Sequence, residues 1–269
     1  MYRFSTSFIS FTLFLSFVFL LPFTGTVKDP FDMDLSRILS PPTKEFPLGT
    51  DSLGRCLLSR TLHGGQLTIL IGTLSTTLSM AIGAGVCLAS LRGPAVLRKL
   101  ILLVTDGWFA FPEFLMTLTV ILITGDSPAG IITSMAISSW PWWSRFSRNM
   151  ITEALSQDYV IAARFSGIGR LRLLSAYVAP KVLPVIITAF LLRTSRSIVL
   201  SGGIGFLGLG VQPPCPEWGA MIRDGLTVVT VAPWAVAGPA TGLVITVALL
   251  QWMVITVRRL TDYRGYTFV

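Results

Sequence analysis

The chain has 269 residues, of which 52% are hydrophobic and 13% charged, and it carries a net charge of +8 at pH 7. Soluble domains have about a quarter of their residues charged, so an ordinary water-soluble domain is excluded. The basic excess is read from its placement along the chain rather than as a nucleic-acid signal, and three scattered cysteines, Cys56, Cys87 and Cys215, suggest neither a disulfide framework nor a zinc site.

A helix needs about 20 predominantly apolar residues to cross the hydrocarbon core of a bilayer. The first such block, 4–27, contains no acidic or basic residue. It follows Arg3 as a secretory leader would, but its length and the lack of an A-x-A site after it predict a retained span. Residues 28–63 are polar, with five basic residues against five acidic ones. A second span is predicted at 64–91, and a third at 100–124, interrupted by Asp106 and Glu113. The fourth is at 127–147, and a polar loop at 148–179 follows it. The fifth, 180–202, carries Arg193 and Arg196, and the sixth is at 233–257. Continuous apolar blocks predict helices, because barrel strands alternate apolar and polar residues. The expected fold class is all-α: one polytopic membrane domain, 1–269, with six spans.

Arg92, Arg98 and Lys99 fall in one connection, and Arg145, Arg148, Arg164, Arg170, Arg172 and Lys181 in another, while Arg258, Arg259 and Arg264 follow the last span. The positive-inside rule makes these segments and both termini cytoplasmic and leaves 28–63 outside. Trp140, Trp142, Trp143, Trp218 and Trp234 sit near predicted span ends and read as interfacial anchors.

Catalysis has little support. There is one histidine, His63, with no H-E-x-x-H, no G-x-S-x-G and no cluster of Cys, His and carboxylates at ligand spacing. Gly203, Gly205 and Gly208 match G-x-G-x-x-G but lack the strand and βαβ setting of a dinucleotide site, so they read as close-approach or helix-breaking glycines. The phosphate-cradling G-x-x-x-x-G-K-[ST] loop is missing from the sequence.

The segment 152–172 is neither a span nor a minimal connection. Leu155, Tyr159 and Ala162 recur at helical spacing, Ala163 and Ser166 widen that stripe with small side chains, and Gly167 is placed to end the helix in a left-handed conformation. The pattern fits a short helix lying in a groove on another protein, or a linker helix on the surface.

Asp158-Tyr159-Val160-Ile161-Ala162-Ala163-Arg164-Phe165-Ser166-Gly167 resembles the EAA loop of bacterial ABC importer permeases, the coupling helix that docks on the ATPase. Phe46-Pro47-Leu48-Gly49-Thr50-Asp51-Ser52-Leu53-Gly54-Arg55 is similar to the signature after the first span in the second permease of dipeptide, oligopeptide and nickel importers. Phe206-Leu207-Gly208-Leu209-Gly210-Val211-Gln212-Pro213-Pro214, with Glu217-Trp218-Gly219-Ala220-Met221, resembles that family's signature after span five. Asp106 with Phe111-Pro112, and Ala232-Pro233-Trp234, are weaker echoes.

The resemblance implies a type I, MetI-like importer permease in a bacterial inner membrane. It would bind no cofactor itself, with ATP and Mg on two partner ATPase subunits. A second permease, in a heterodimer, and an extracytoplasmic solute-binding protein complete the implied assembly. The implied coupling residues are Glu153, Asp158, Tyr159, Val160, Ala162, Ala163, Arg164 and Gly167. The chain departs from the family pattern at Cys56, at Ser201-Gly202-Gly203 and at 257–262, which bears on cargo more than on coupling.

Intramembrane charges usually face protein or water, so Arg193, Arg196, Asp106 and Glu113 form a candidate substrate pathway. Arg193 and Arg196, three apart, share a helical face. They either pair with Asp106 or Glu113 or meet an anionic passenger, such as a peptide carboxylate or a carboxylate-rich metal chelate. Bare nickel is disfavoured, since imidazole suits it and His63 stands alone. A solitary secondary transporter or channel is the competing class.

Overall fold

The computed structural model describes residues 2–20 and 28–263, and these are helical apart from connecting segments, with one isolated bridge between Thr50 and Cys56. In chain order the helices are α1 (Tyr2–Leu20), α2 (Leu57–Arg92), α3 (Ala95–Phe109), α4 (Glu113–Thr124), α5 (Pro128–Leu155), α6 (Asp158–Phe165), α7 (Arg170–Leu173), α8 (Ala179–Phe206), α9 (Trp218–Leu226) and α10 (Trp234–Tyr263). A 3-10 turn, Leu35–Arg37, precedes α2, and a π-helical turn, Leu174–Val178, leads into α8. The end of the predicted first span, 21–27, and Arg264 lie outside the described residues.

Among the described residues three helical stretches are long and apolar enough to cross a membrane: Leu57–Arg92, Ser175–Phe206 and Trp234–Arg259. The stretch expected as the third span is α3 and α4, which meet at 99°. Pro112 explains the break, because it has no amide hydrogen to donate and disfavours a helical conformation at Phe111. Counted as one span, the pair makes a fourth. The helix over the predicted fourth span does not stop at 147 but continues to Leu155, through Pro141.

α2 is the central post. It packs along α5 and α8, α10 lies along α8, and α9 is wedged against α8 and α10. The buried face of α2 is built from small residues, including Ser75, Thr76, Ser79 and Gly83. Lipid is as apolar as leucine, so membrane helices associate through close packing, which small side chains allow. A Cβ on Gly72 would come within 2.5 Å of Ile198 Cγ1 on α8. Two of the buried hydroxyls are satisfied along their own helix: Thr76 Oγ1 donates to the Gly72 carbonyl at 2.8 Å and Ser75 Oγ to that of Ile71 at 2.7 Å.

Two tryptophans depart from the anchor expectation. Trp143 and Trp218 are each 1% exposed and fill the core. Trp218 lies against α2, where its indole Nε1 donates to the Thr61 carbonyl at 2.8 Å. The neighbouring Gly219 allows this insertion, since a Cβ there would fall on the Gly202 carbonyl oxygen of α8. Backbone cannot yield as a flexible side chain can, so Gly219→Ala should cost ~2–3 kcal/mol through overpacking. We expect a lower unfolding temperature and yield in detergent for Gly219→Ala, and wild-type values for Gly203→Ala, whose Cβ would meet nothing within 4 Å. Equal behaviour of the two variants would refute the close-packed joint.

Candidate functional site

The segment before α2 is held by Asp51. Its Oδ1 accepts from the backbone amides of Leu53 at 2.9 Å and Arg55 at 3.0 Å, and its Oδ2 pairs with Arg55 Nε at 2.7 Å and Arg60 Nε at 3.3 Å. The signature around Thr50 to Arg55 is thus a local fold element. Its counterpart after α8 is Glu217, 1% exposed. Glu217 caps α9 by accepting from the Ala220 amide at 3.0 Å, and it accepts from Thr68 Oγ1 of α2 at 3.0 Å. Burial pushes its carboxyl pKa up, and the amides of Gly219 and Ala220 and the Thr68 hydroxyl oppose that rise by solvating the anion. The sequence showed Glu217 only as part of a signature. Nothing local to it signalled that it joins α2 to α9.

Of the four candidate pathway charges, three come together. Glu113 is the first residue of α4, just past the bend at Pro112. Its carboxylate takes Arg193 Nη2 at 2.6 Å, Arg196 Nη2 at 3.0 Å and the Ser139 hydroxyl at 2.5 Å. The Arg193 guanidinium also lies 4.9 Å from the ring centre of Trp142. The pairing alternative for the arginines is therefore met by Glu113. Asp106 stands apart, paired with Arg145 at an exposed position on α3. Ser139 and Trp142 were missed in the sequence because neither a serine nor a tryptophan in an apolar helix is unusual. Arg196 keeps 65% of its side chain exposed while Arg193 keeps 8%, so one arginine is a structural partner and the other is available.

The 148–179 segment is mostly helix. α5 ends at Leu155, Ser156 and Gln157 interrupt, and α6 begins at Asp158. Val160 and Ala163 turn inward, packing with Ala154, Leu173, Val178 and Val182. Tyr159 is half-buried, with Lys181 Nζ 4.6 Å from its ring centre. Glu153, Asp158, Ala162, Arg164 and Gly167 are exposed. The expected docking stripe is kept in part: Leu155, Ala162 and Ser166 face outward, but Ala163, expected to widen it, is buried and Tyr159 is half-buried, because the interruption at Ser156-Gln157 separates α6 from α5.

Gly167 ends α6 at φ +77°. The Ile168 amide donates to the Ala163 carbonyl at 3.3 Å and the Gly167 amide to that of Arg164 at 3.2 Å, the hydrogen-bond pair of a Schellman cap. Ile168 packs into the same cluster as Ala163, which completes the cap with an apolar contact. The outward face then presents Phe165, 88% exposed, and Ile161 one turn before it, 41% exposed. The candidate coupling set had omitted Phe165, although its spacing of four from Ile161 was a readable signal.

Residues 81–262 match the family described as binding-protein-dependent transport system inner membrane component. The di/tripeptide transport system permease protein DppC of Pseudomonas aeruginosa is 35% identical over 233 residues, 84% of this chain and 76% of that one. The glutathione transport system permease protein GsiD of Escherichia coli O6:K15:H31 is 31% identical over 214 residues, covering 80% and 71%. GsiD of Pectobacterium atrosepticum is 30% identical over 239 residues, covering 87% and 79%. A chain of the methionine ABC transporter MetNI, solved in inward-facing conformations, superposes with a TM-score of 0.54 at 18% identity, over 76% of this chain and 95% of that one, a likeness of fold.

Proposed function

This chain belongs to the family of binding-protein-dependent transport system inner membrane components, and on that premise we propose that α6 is the lever by which an ATPase subunit drives it, with a small peptide as cargo. The chain is a membrane-spanning permease subunit of an ABC importer, and ATP hydrolysis belongs to separate ATPase subunits. Family membership brings with it ATPase, substrate-binding and second-permease partners. Our finer reading is a heterodimer of permeases on two ATPases that hold ATP and Mg, with six spans in this chain and both termini and α6 in the cytoplasm. The basic segments flanking α6 support that orientation.

One observation carries the coupling role: α6 is fastened to the body through Val160, Ala163 and the cap at Gly167, while Phe165 is left 88% exposed on its far side. A rigid helix with one outward aromatic suits a socket that must push and pull. The cargo reading draws on the di/tripeptide and glutathione permeases among the relatives.

The coupling is tested by Phe165→Asp in the assembled importer. Loss of a central aromatic anchor costs ~2 kcal/mol or more, about 30-fold in affinity. Co-purifying ATPase should fall by that order while the amount of permease in the membrane stays constant. Undiminished co-purification would overturn the role assigned to α6.

A further inference from the structure

Between α5 and α8 lies a cleft of about 440 Å³, to whose lining Arg258 of α10 also contributes. Trp142 and Phe146 of α5 form one wall, their rings stacked 4.8 Å apart at 11°. Arg193 and Arg196 of α8 form another. Arg193 and Arg196 share the single carboxylate of Glu113, and Arg258 adds a third guanidinium to the lining, so the cleft carries a positive excess. Such a charge is costly in a membrane protein unless an anion or water meets it. Arg193 is consumed by Glu113 and Trp142, whereas Arg196 touches Glu113 through Nη2 at 3.0 Å and keeps most of its side chain open. A guanidinium presents a planar fork of donors, so its free edge is shaped for a second carboxylate or phosphate.

We propose that this cleft is a binding site for an oxyanion carried on a small apolar or aromatic body, in the first instance the C-terminal carboxylate of a peptide in transit. Arg196 takes the carboxylate, and the Trp142–Phe146 face takes the body. The volume suits a short peptide, as ligand clefts span about 300–1,000 Å³. The peptide as ligand rests on the functional reading above. A phospholipid headgroup offers the same oxyanion chemistry and is the source the experiment has to separate.

The assembled importer, with its second permease and ATPases but without the solute-binding protein, is placed in nanodiscs of phosphatidylcholine alone or with phosphatidylglycerol. Radiolabelled dialanine and dialanine C-terminal amide are the probes. Dialanine should bind about tenfold or more tightly than the amide in both lipids, as befits one charge-assisted contact. Arg196→Gln should erase that preference, and Arg196→Lys should keep part of it. Equal binding of the two probes, binding of neither, or a preference that survives Arg196→Gln overturns the site. A preference abolished by phosphatidylglycerol assigns the oxyanion to lipid and also overturns it. ATPase recovered with the wild-type chain separates the two claims: its presence without carboxylate preference rejects the cleft and keeps the permease reading, and its absence rejects the coupling itself.

Discussion

Glu113→Gln should leave the permease largely missing from the membrane fraction. Glu113 is the carboxylate partner of both Arg193 and Arg196, and Arg193 is 7% exposed. Removing one partner of a buried ion pair costs ~3–5 kcal/mol, because the other charge stays buried without compensation. That is a large share of the ~5–15 kcal/mol by which folded proteins are stable. The loss should come from the stranded arginine rather than from the missing carboxylate. A second change, Arg193→Met, should therefore restore abundance to Glu113→Gln, since a pair replaced by apolar groups of similar volume is near neutral. Arg196, being open to the cleft, needs no such rescue. Immunoblots of membrane fractions and thermal unfolding in detergent measure both variants. Wild-type abundance of Glu113→Gln alone, or no recovery in the double variant, would remove the structural role given to this cluster.

The second large effect is on transport. Gly167→Val should abolish most ATP-driven uptake while leaving the protein in the membrane. A side chain at Gly167 would meet nothing within 4 Å, so there is no clash. The penalty lies in the backbone: φ is +77°, and a residue with a Cβ, β-branched above all, pays ~1–2 kcal/mol in the left-handed region. Relieving that strain gives up the two cap hydrogen bonds at Ala163 and Arg164 and frees the end of α6 next to Phe165. By two-state arithmetic the penalty lowers the population of correctly set α6 about 5- to 30-fold. Gly167→Asn should keep more activity, as asparagine tolerates this conformation. Uptake of a labelled dipeptide, set against permease abundance, gives the answer. Normal uptake by Gly167→Val would show that the joint does not transmit force.

The two predictions differ in how far they were readable beforehand. Gly167 was legible, because a glycine after a short helical run has one common use and only local geometry is involved. Glu113 was legible as an intramembrane charge, but its choice of partners was not. Asp106 was an equal candidate by sequence, and only the bend at Pro112 carries Glu113 to α8 while Asp106 stays on α3 with Arg145. On α6 the type of element was plain and its facing was not: a two-residue interruption at Ser156-Gln157 turned Val160 and Ala163 inward and left Phe165 outside.

The amino-acid sequence by itself determined that this is a helical membrane protein and that 158–167 is a short helix closed by a glycine. Apolar block length and local turn chemistry depend on neighbours in the chain and on little else. The tertiary structure alone decided that Trp143 and Trp218 belong to the core, that Glu217 ties α9 to α2, and that Arg196 rather than Arg193 keeps its side chain exposed. Lipid and protein interior are equally apolar, so hydropathy cannot distinguish a side chain facing one from a side chain facing the other. That distinction arises only when helices distant in sequence come into contact.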